Sequence, residues 1–409
     1  MRVLLLNNVP APYFDPLFER VGRESGWELT VCYSSNWNQA VGWKDAAVVQ
    51  NDAHRTVILD RQKPWLKARL GSSMAASVAL AEMLRRERPD YLLIYGYTLL
   101  PQMMALLWAM TTKTPFAVAG DANIYTDAAT GLKRFIKGFW LRLVVRRTAA
   151  LLSVGTANRL FWSAYGARAE QIFDARFAVK NDFFAQASAA RKNDAETLRR
   201  KLGLAGKVVF LFVGRLVKRK NVDLIIRAAQ QLKDERIAVV IAGSGEELES
   251  LAMLAAGNPQ IIFAGNVAQT ELPMFYALAD ALILPASQEP WGLVVNEAMA
   301  CGLAIIAHRH CGAAVDLVGA DNGVALNSFS ADELAEAMRR IASDEALRHS
   351  MQERSREKIQ AWSIESAASG IIHAVKTTAS WNADVPSAPP GADARTECPR
   401  SNPVLRKER

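Results

Sequence analysis

The sequence predicts an α/β protein made of two similar layered domains, and three observations predict it. Short β-branched or leucine-rich runs recur at intervals that leave room for one helix between them. The stretches between them carry helical periodicity, and the whole series restarts after a polar interruption near mid-chain. A repeated strand–helix–strand rhythm builds a parallel sheet with helices on its faces.

In the first series the candidate strands are Val3–Leu6, Leu29–Tyr33, Thr56–Leu59, Tyr91–Tyr95, Phe116–Ala119 and Leu151–Val154. The second series runs Val208–Val213, Ala238–Ala242, Ile261–Ala264, Ala281–Leu284 and Ala304–Ala307. Between these strands the cleanest helical stripe is Val222, Ile225, Ile226, Ala229 and Leu232. Residues 181–193 are polar and alanine-rich without periodicity, which predicts a linker between domains and a cleft beside it. The expected boundaries are therefore a first domain over 1–180, the linker 181–193, and a second domain over 194–362. A helix over 363–381 is expected to cross back to the first domain, and the proline-rich, charged stretch 382–409 reads as a loose tail.

With 409 residues, half of them apolar and 22% charged, the chain can bury sizeable cores, which excludes the disordered class; Gly and Pro without a short period exclude the fibrous ones. The formal net charge of +8 favours an anionic partner such as a phosphate or an anionic lipid. Nucleic acid is not expected, because no recognition module or row of stacking aromatics accompanies the cations. Cys32, Cys301, Cys311 and Cys398 lie too far apart for a disulfide framework and form no C-x-x-C pair, so a reducing compartment is expected. The apolar run Val3–Leu6 is too short for a signal peptide, and the longest greasy stretch, Leu99–Met110, is too short to span a bilayer. A cytoplasmic location follows as the expectation.

Two windows carry chemistry. In SQEPWGLVVNEAMACG (Ser287 to Gly302) a polar loop runs into a helix-forming stretch, so the backbone N–H groups of Trp291, Gly292 and Leu293 become the open donors of a helix start. Glu289 and Glu297 stand eight residues apart, which on a helix separates them by about 12 Å, enough to hold two ends of one ligand but not to share a proton. Taken alone, Glu289 is equally a carboxylate offsetting a helix N-terminus, and Glu297 a solvated helix residue. In FVGRLVKRKN (Phe212 to Asn221), Gly214 permits an unusual turn, while Arg215 and Lys220 bring two cations to the carboxyl end of a strand. Lys218 and Arg219 read as a basic loop facing water.

These motifs in order resemble glycosyltransferase family 4. The likeness rests on Gly214-Arg215-Leu216 with Lys220, Gly243-Ser244-Gly245, ELPMFYALADALILP (Glu271 to Pro285), and Glu289 with Glu297. It covers residues 204 to 318 almost continuously and the first domain more diffusely, through ERPDYLLIYGY, TPFAVAGDANIY and NNVPAP. The resemblance implies the GT-B architecture, two Rossmann-like domains facing across a cleft. It implies retaining transfer of a hexose-type sugar from a nucleotide-diphosphate donor seated on the second domain. Gly214, Arg215, Lys220, Glu289, Trp291, Gly292, Leu293 and Glu297 would then form the donor site. Arg215 and Lys220 would neutralise the leaving diphosphate, Glu289 would hold donor-sugar hydroxyls and Glu297 the ribose hydroxyls. No cofactor and no metal are expected: two cations do the work of a divalent ion, and the chain has no D-x-D triplet. His308-Arg309-His310-Cys311 is packed too tightly for zinc spacing and reads better as a polar strand-end turn.

The chain departs from the family pattern in two places. Where members often carry glycines after the first strand, it has Asn7-Asn8-Val9-Pro10; and the His that many place in the first domain is missing, His54 being the sole His before His308. Asp121, in AGDANIY, is the candidate replacement as a catalytic residue, although Gly120-Asp121-Ala122-Asn123 is also ordinary turn chemistry.

The acceptor side speaks through LKRFIKGFWLRLVVRR (Leu132 to Arg147), where Leu132, Phe135, Ile136, Phe139 and Leu143 form one stripe among six cations and no acid. A basic amphipathic helix of this kind can lie in a membrane interface, with Lys133, Arg134, Lys137, Phe139 and Trp140 facing the lipid. The same stripe can instead pack on the sheet of the first domain. The first alternative predicts peripheral attachment to the inner face of the cytoplasmic membrane, and a saccharide acceptor linked to lipid. Two rival functions keep the fold: a sugar-nucleotide epimerase, and a non-catalytic sugar-nucleotide-binding partner protein.

Overall fold

The structure is a computed structural model that describes residues 1–35, 51–126 and 130–380. The first domain runs β1 (Arg2–Asn7), α1 (Phe14–Ser25), β2 (Glu28–Tyr33), β3 (Arg55–Ile58), α2 (Pro64–Leu70), α3 (Ser72–Glu87), β4 (Tyr91–Tyr95), α4 (Leu100–Thr112), β5 (Phe116–Gly120), α5 (Gly131–Arg147), β6 (Ala150–Ser153), α6 (Thr156–Ala164) and β7 (Ile172–Asp174). Its seven strands pair in parallel in the order β3-β2-β1-β4-β5-β6-β7.

The second domain runs α7 (Asn181–Ala190), α8 (Lys192–Lys201), β8 (Val208–Val213), α9 (Val222–Leu232), β9 (Ile237–Ala242), α10 (Leu248–Ala255), β10 (Ile261–Gly265), α11 (Leu272–Leu278), β11 (Ala281–Leu284), α12 (Leu293–Ala300), β12 (Ala304–His308), α13 (Gly312–Leu317), β13 (Gly323–Leu326), α14 (Ala331–Ser343) and α15 (Glu345–Ile359). Six parallel strands follow the order β10-β9-β8-β11-β12-β13. Every residue of β8 (VVFLFV) and β9 (IAVVIA) is buried, as strands covered by helices on both faces must be, and this is why they read as unbroken apolar runs. On α9 the stripe Val222, Ile225, Ile226 and Ala229 is buried against the sheet.

Two strands, β7 and β13, have no counterpart in the sequence reading. Both are edge strands of three and four residues, too short to raise a period-two signal of their own. Residues 181–193 are not the aperiodic linker expected. They fold into α7 and the start of α8, and Phe184 and Ala195 join the second domain's core. Tertiary packing on α11 and α12 makes this segment helical where its own pattern is silent.

After α15 the chain returns as α16 (Ile364–Thr378), whose Ile364, Ala367, Ala368, Ile371, Ala374 and Val375 are buried with α1 in the first domain's core. The expected tail 382–409 lies outside the described residues.

Candidate active site

Each sheet reverses its strand order once, between β1 and β4 and between β8 and β11. Loops leaving neighbouring strands diverge at such a point and open a crevice at the carboxyl edge. In the second domain the loops at that crevice are residues 214–221 and 285–292, the two windows singled out in the sequence. Hydrogen bonds tie them together. Asn221 Nδ2 donates to the Pro285 carbonyl at 3.0 Å, Arg219 Nη1 to the Gln288 carbonyl at 2.6 Å, and the Ser287 N–H to the Arg219 carbonyl at 2.9 Å. Arg219 is thus a tie between loops and not the idle cation expected, whereas Lys218 is exposed.

Lys220 Nζ forms a hydrogen-bonded ion pair with Glu289 Oε2, with both side chains nine-tenths buried or nearly so. Arg215 is exposed, and its guanidinium has no partner among the described residues. Gly214 closes β8 against the Gly243-Ser244-Gly245 turn: a Cβ on Gly243 would stand 1.8 Å from the Gly214 carbonyl oxygen, and one on Gly245 2.2 Å from that of Leu216. The glycines of this motif let two strand-end loops touch.

Gly292, at φ 96°, is the last residue before α12, and a Cβ there would meet Cys311 Sγ at 2.8 Å. The Trp291 side chain is buried; its indole N–H donates to Asn296 Oδ1 at 2.9 Å and its ring stacks on Trp362. What Trp291, Gly292 and Leu293 offer a ligand is therefore the N–H end of a helix, with side chains that fix its position.

Glu289 sits on the loop and Glu297 in the second turn of α12, so the helical spacing of about 12 Å expected for the pair does not describe it. Nor is Glu297 solvated. It is buried, accepts a hydrogen bond from the Tyr276 hydroxyl at 2.5 Å, and burial pushes its pKa up to about 7 against that bond. Glu297 lines a 210 Å³ hollow with Lys180, Phe183, Gln269 and Thr270.

The first domain presents a 350 Å³ cavity at its own switch point, lined by Asn7, Asn8, Tyr13, Tyr95, Asp121 and Phe177 among others. Asn7, which ends β1, and Asn8 after it thus stand where glycines were missed. Asp121 opens into this cavity while the surrounding walls desolvate it; burial first, then the Glu289 charge, raise its pKa. Burial and then Asp121 raise the Tyr13 phenol in turn. A further hollow of 590 Å³, between α1 and the two crossings from domain to domain, touches none of these carboxylates.

The halves are also joined directly. Asn123 Nδ2 donates to the carbonyls of Glu289 and Pro290, both at 3.0 Å, and Asn296 Nδ2 donates to the Phe177 carbonyl. Thr156 donates its N–H and hydroxyl to the Asp316 carboxylate at 2.9 and 2.5 Å, and Tyr125 stacks on His310 at 4.4 Å. Asn123, Asp316, Tyr276 and Tyr13 escaped the sequence reading. Asn123 alone had a signal, an Asx residue in the turn that carries Asp121.

His308 stacks on Phe329 at 3.8 Å and burial lowers its pKa to about 3, while the Cys311 thiol donates to the Trp291 carbonyl. His308 and Cys311 are buried, with Arg309 and His310 partly exposed between them. Among the described residues no group of three or more His, Cys, Asp or Glu is arranged to hold a metal ion.

On α5 the buried face is Gly138, Leu141, Val144 and Val145, so the stripe read from sequence does not pack on the sheet. Leu132, Phe135, Ile136 and Phe139 are 59–73% exposed, beside exposed Lys133 and Arg134. Lys137 lies over the Phe161 ring, and Trp140 turns inward, its indole donating to the Tyr97 carbonyl at 3.0 Å, so Trp140 is no part of an outward face. No helix among the described residues is long and apolar enough to cross a membrane.

Residues 194–358 match the family model for glycosyl transferases group 1. A D-inositol 3-phosphate glycosyltransferase of Corynebacterium aurimucosum is 34% identical over 189 residues, 43% of this chain and 45% of that protein. A GDP-mannose-dependent alpha-(1-6)-phosphatidylinositol monomannoside mannosyltransferase of Mycolicibacterium smegmatis is 30% identical over 179 residues, 41% and 46% of the two chains. The matched region spans less than half the length of either relative. Among solved structures, the Anabaena protein HepE in complex with UDP aligns over 92% of this chain and 100% of its own, with TM-score 0.72 at 16% identity. Sucrose-phosphate synthase from Thermosynechococcus elongatus aligns over 92% and 98%, with TM-score 0.73 at 17% identity. At such identities the likeness is one of fold: two Rossmann-like domains in the GT-B arrangement.

Proposed function

We propose that this chain, whose residues 194–358 form a glycosyl transferases group 1 domain, moves a hexose-type sugar from a nucleotide-diphosphate donor to a saccharide acceptor, with retention at the anomeric carbon. The observation that carries the reading is the buried Lys220–Glu289 pair at the β8–β11 crevice, beside the start of α12 and facing Asp121. A diphosphate matches what that crevice offers: the Lys220 ammonium, the free Arg215 guanidinium and the N–H groups of Trp291, Gly292 and Leu293.

On donor binding Lys220 turns from Glu289 to the phosphates, and Glu289 is released to accept hydroxyls of the sugar. Glu297 takes the ribose hydroxyls in its hollow, and Gly214 leaves room for the chain between. As the bond from the anomeric carbon to the phosphate oxygen lengthens, the two cations stabilise the charge on the leaving group. The acceptor hydroxyl bonds to the anomeric carbon on that same face, and its proton passes to the departing phosphate. Asp121, across the cleft, orients the hydroxyls at the reacting carbon. The positive charge is supplied by the protein, so neither metal nor cofactor is required.

The acceptor is lipid-linked in this reading. Support comes from the exposed apolar stripe of α5 beside Lys133 and Arg134, which suits peripheral attachment to the anionic inner face of the cytoplasmic membrane, and from the lipid acceptor named for the mannosyltransferase relative.

The experiment is a thermal-shift screen against uridine, guanosine and adenosine diphosphate sugars, followed by nucleoside diphosphate release with and without membrane extract as acceptor. Release that depends on acceptor separates transfer from epimerisation and from idle binding. Glu289→Ala and Arg215→Ala should each abolish it, chelator should not, and full activity in either variant removes the site assignment.

A further inference from the structure

Asn123 is fully buried in the loop after β5, and all of its polar atoms are engaged. Its Oδ1 accepts from the Tyr125 and Thr126 N–H groups, both at 2.9 Å, and its own N–H donates to Thr126 Oγ1 at 3.0 Å. These bonds stay within the first domain. Its Nδ2 crosses the cleft and donates to two carbonyls of the second domain, Glu289 and Pro290. One side chain thus has an acceptor end that shapes its own loop and a donor end that grips the segment carrying the Glu289 carboxylate.

We propose that Asn123 is a positioning residue: it latches the domains closed by holding the Glu289–Pro290 backbone, so that the Glu289 carboxylate reaches its working place only when the Asp121 loop has docked. The latch rests on the reading of Glu289 as a donor-sugar residue and goes beyond it, because it makes the site incomplete in either domain alone. The Asp316 carboxylate at the first turn of α6 is a second joint of the same closure and supplies a reporter. The Thr156 N–H is a first-domain amide protected by a second-domain side chain.

Asn123→Asp tests this with almost no change of shape. The remaining oxygen still accepts from Tyr125 and Thr126, but an oxygen now faces the two carbonyls that Nδ2 had served. Hydrogen exchange on the free full-length protein is expected to speed up about tenfold at Thr156, the scale for losing two hydrogen bonds from an opening equilibrium, with the amides of β8 unchanged. With the donor found in the thermal-shift screen, kcat for transfer is expected to fall on the order of a hundredfold, and KM for that donor much less, as a misplaced group predicts. Asn123→Ala, which loses both ends, should open at least as far. Unchanged exchange at Thr156 overturns the latch whatever the activity, and faster exchange with unchanged kcat overturns the positioning role. A fully active Glu289→Ala protein combined with fast exchange in Asn123→Asp removes the donor-site reading and leaves the latch standing.

Discussion

Glu297→Gln is expected to stabilise the free protein at alkaline pH and to leave it unchanged in acid. Glu297 is 7% exposed and has one hydrogen-bond partner, the Tyr276 hydroxyl. Burial lifts its pKa from 4.5 to about 7. A carboxyl whose folded pKa lies above its unfolded value favours the folded state at low pH. Below the unfolded pKa both states are protonated and no cost arises; between 4.5 and 7 the unfolded chain ionises first; above 7 the folded protein must carry the buried charge. The full cost corresponds to roughly 3 kcal/mol. Glutamine keeps the shape and the acceptor oxygen for Tyr276 while removing the charge. For a domain of this size each kcal/mol moves Tm by about 2–4 °C, so at pH 8.5 the variant should melt roughly 6–12 °C higher. The assay is differential scanning calorimetry of both proteins from pH 4.5 to 8.5. The gap should grow from about pH 4.5 and level off above the folded pKa of about 7. A gap that does not vary with pH, or a variant less stable at pH 8.5, refutes the burial account of Glu297. If its carboxylate takes ribose hydroxyls, the same variant should bind the donor more weakly while it melts higher.

Lys220→Met leaves Glu289 without its counter-ion in a largely buried place, which should cost roughly 3 kcal/mol in urea unfolding, and adding Glu289→Gln should return most of it. Gly292→Ala puts a Cβ at positive φ and 2.8 Å from Cys311 Sγ; unfolding should register a loss of about 1–3 kcal/mol, with weaker binding of nucleoside diphosphate. Changing Phe135 and Phe139 together to Ser should alter stability by less than about 0.5 kcal/mol each, since both rings are exposed, yet should abolish flotation with anionic liposomes; undiminished flotation removes the membrane role of α5.

Much of this was legible in the sequence, for physical reasons that differ by element. The buried strands β8, β9, β11 and β12 announce themselves because a strand covered on both faces must be apolar throughout. The two charged windows were legible as candidates because parallel sheets bind ligands at the carboxyl ends of their strands, while the reversal of strand order beside them is visible only in the sheet. The short edge strands β7 and β13 and the helix α7 were not, since pairing and packing with distant segments impose their structure. Glu297 shows the same limit within the site. Its partner Tyr276 lies 21 residues earlier in sequence, so the chain alone gives no sign that this carboxylate is buried and not solvated. Trp140 and Leu132 share one helix and a similar apolar character, yet one turns inward to the Tyr97 carbonyl and the other is exposed, a distinction set by where the neighbouring strand ends.

The Lys220–Glu289 pair bears on how such a crevice can be charged and still fold. A lone buried ammonium aimed at an absent phosphate would shed its proton or destabilise the loop. With Glu289 as counter-ion the free site is neutral inside, and Arg215 waits at the exposed mouth, where its solvation costs little. If a diphosphate binds there as proposed, it adds two negative charges against Lys220, Arg215 and the roughly half charge of a helix start. In the proposed reading Glu289 remains an acceptor, and sugar hydroxyls are the donors that can replace the ammonium it gives up. On that proposal a nucleoside diphosphate without its sugar would take Lys220 and return nothing to Glu289. A nucleotide-sugar should therefore bind more tightly than its parent diphosphate in the wild type, and Glu289→Gln should narrow that difference, because a neutral amide loses less when the lysine leaves. Titration calorimetry of the two ligands against both proteins checks it, and an equal preference in the variant refutes the exchange of partners at Glu289.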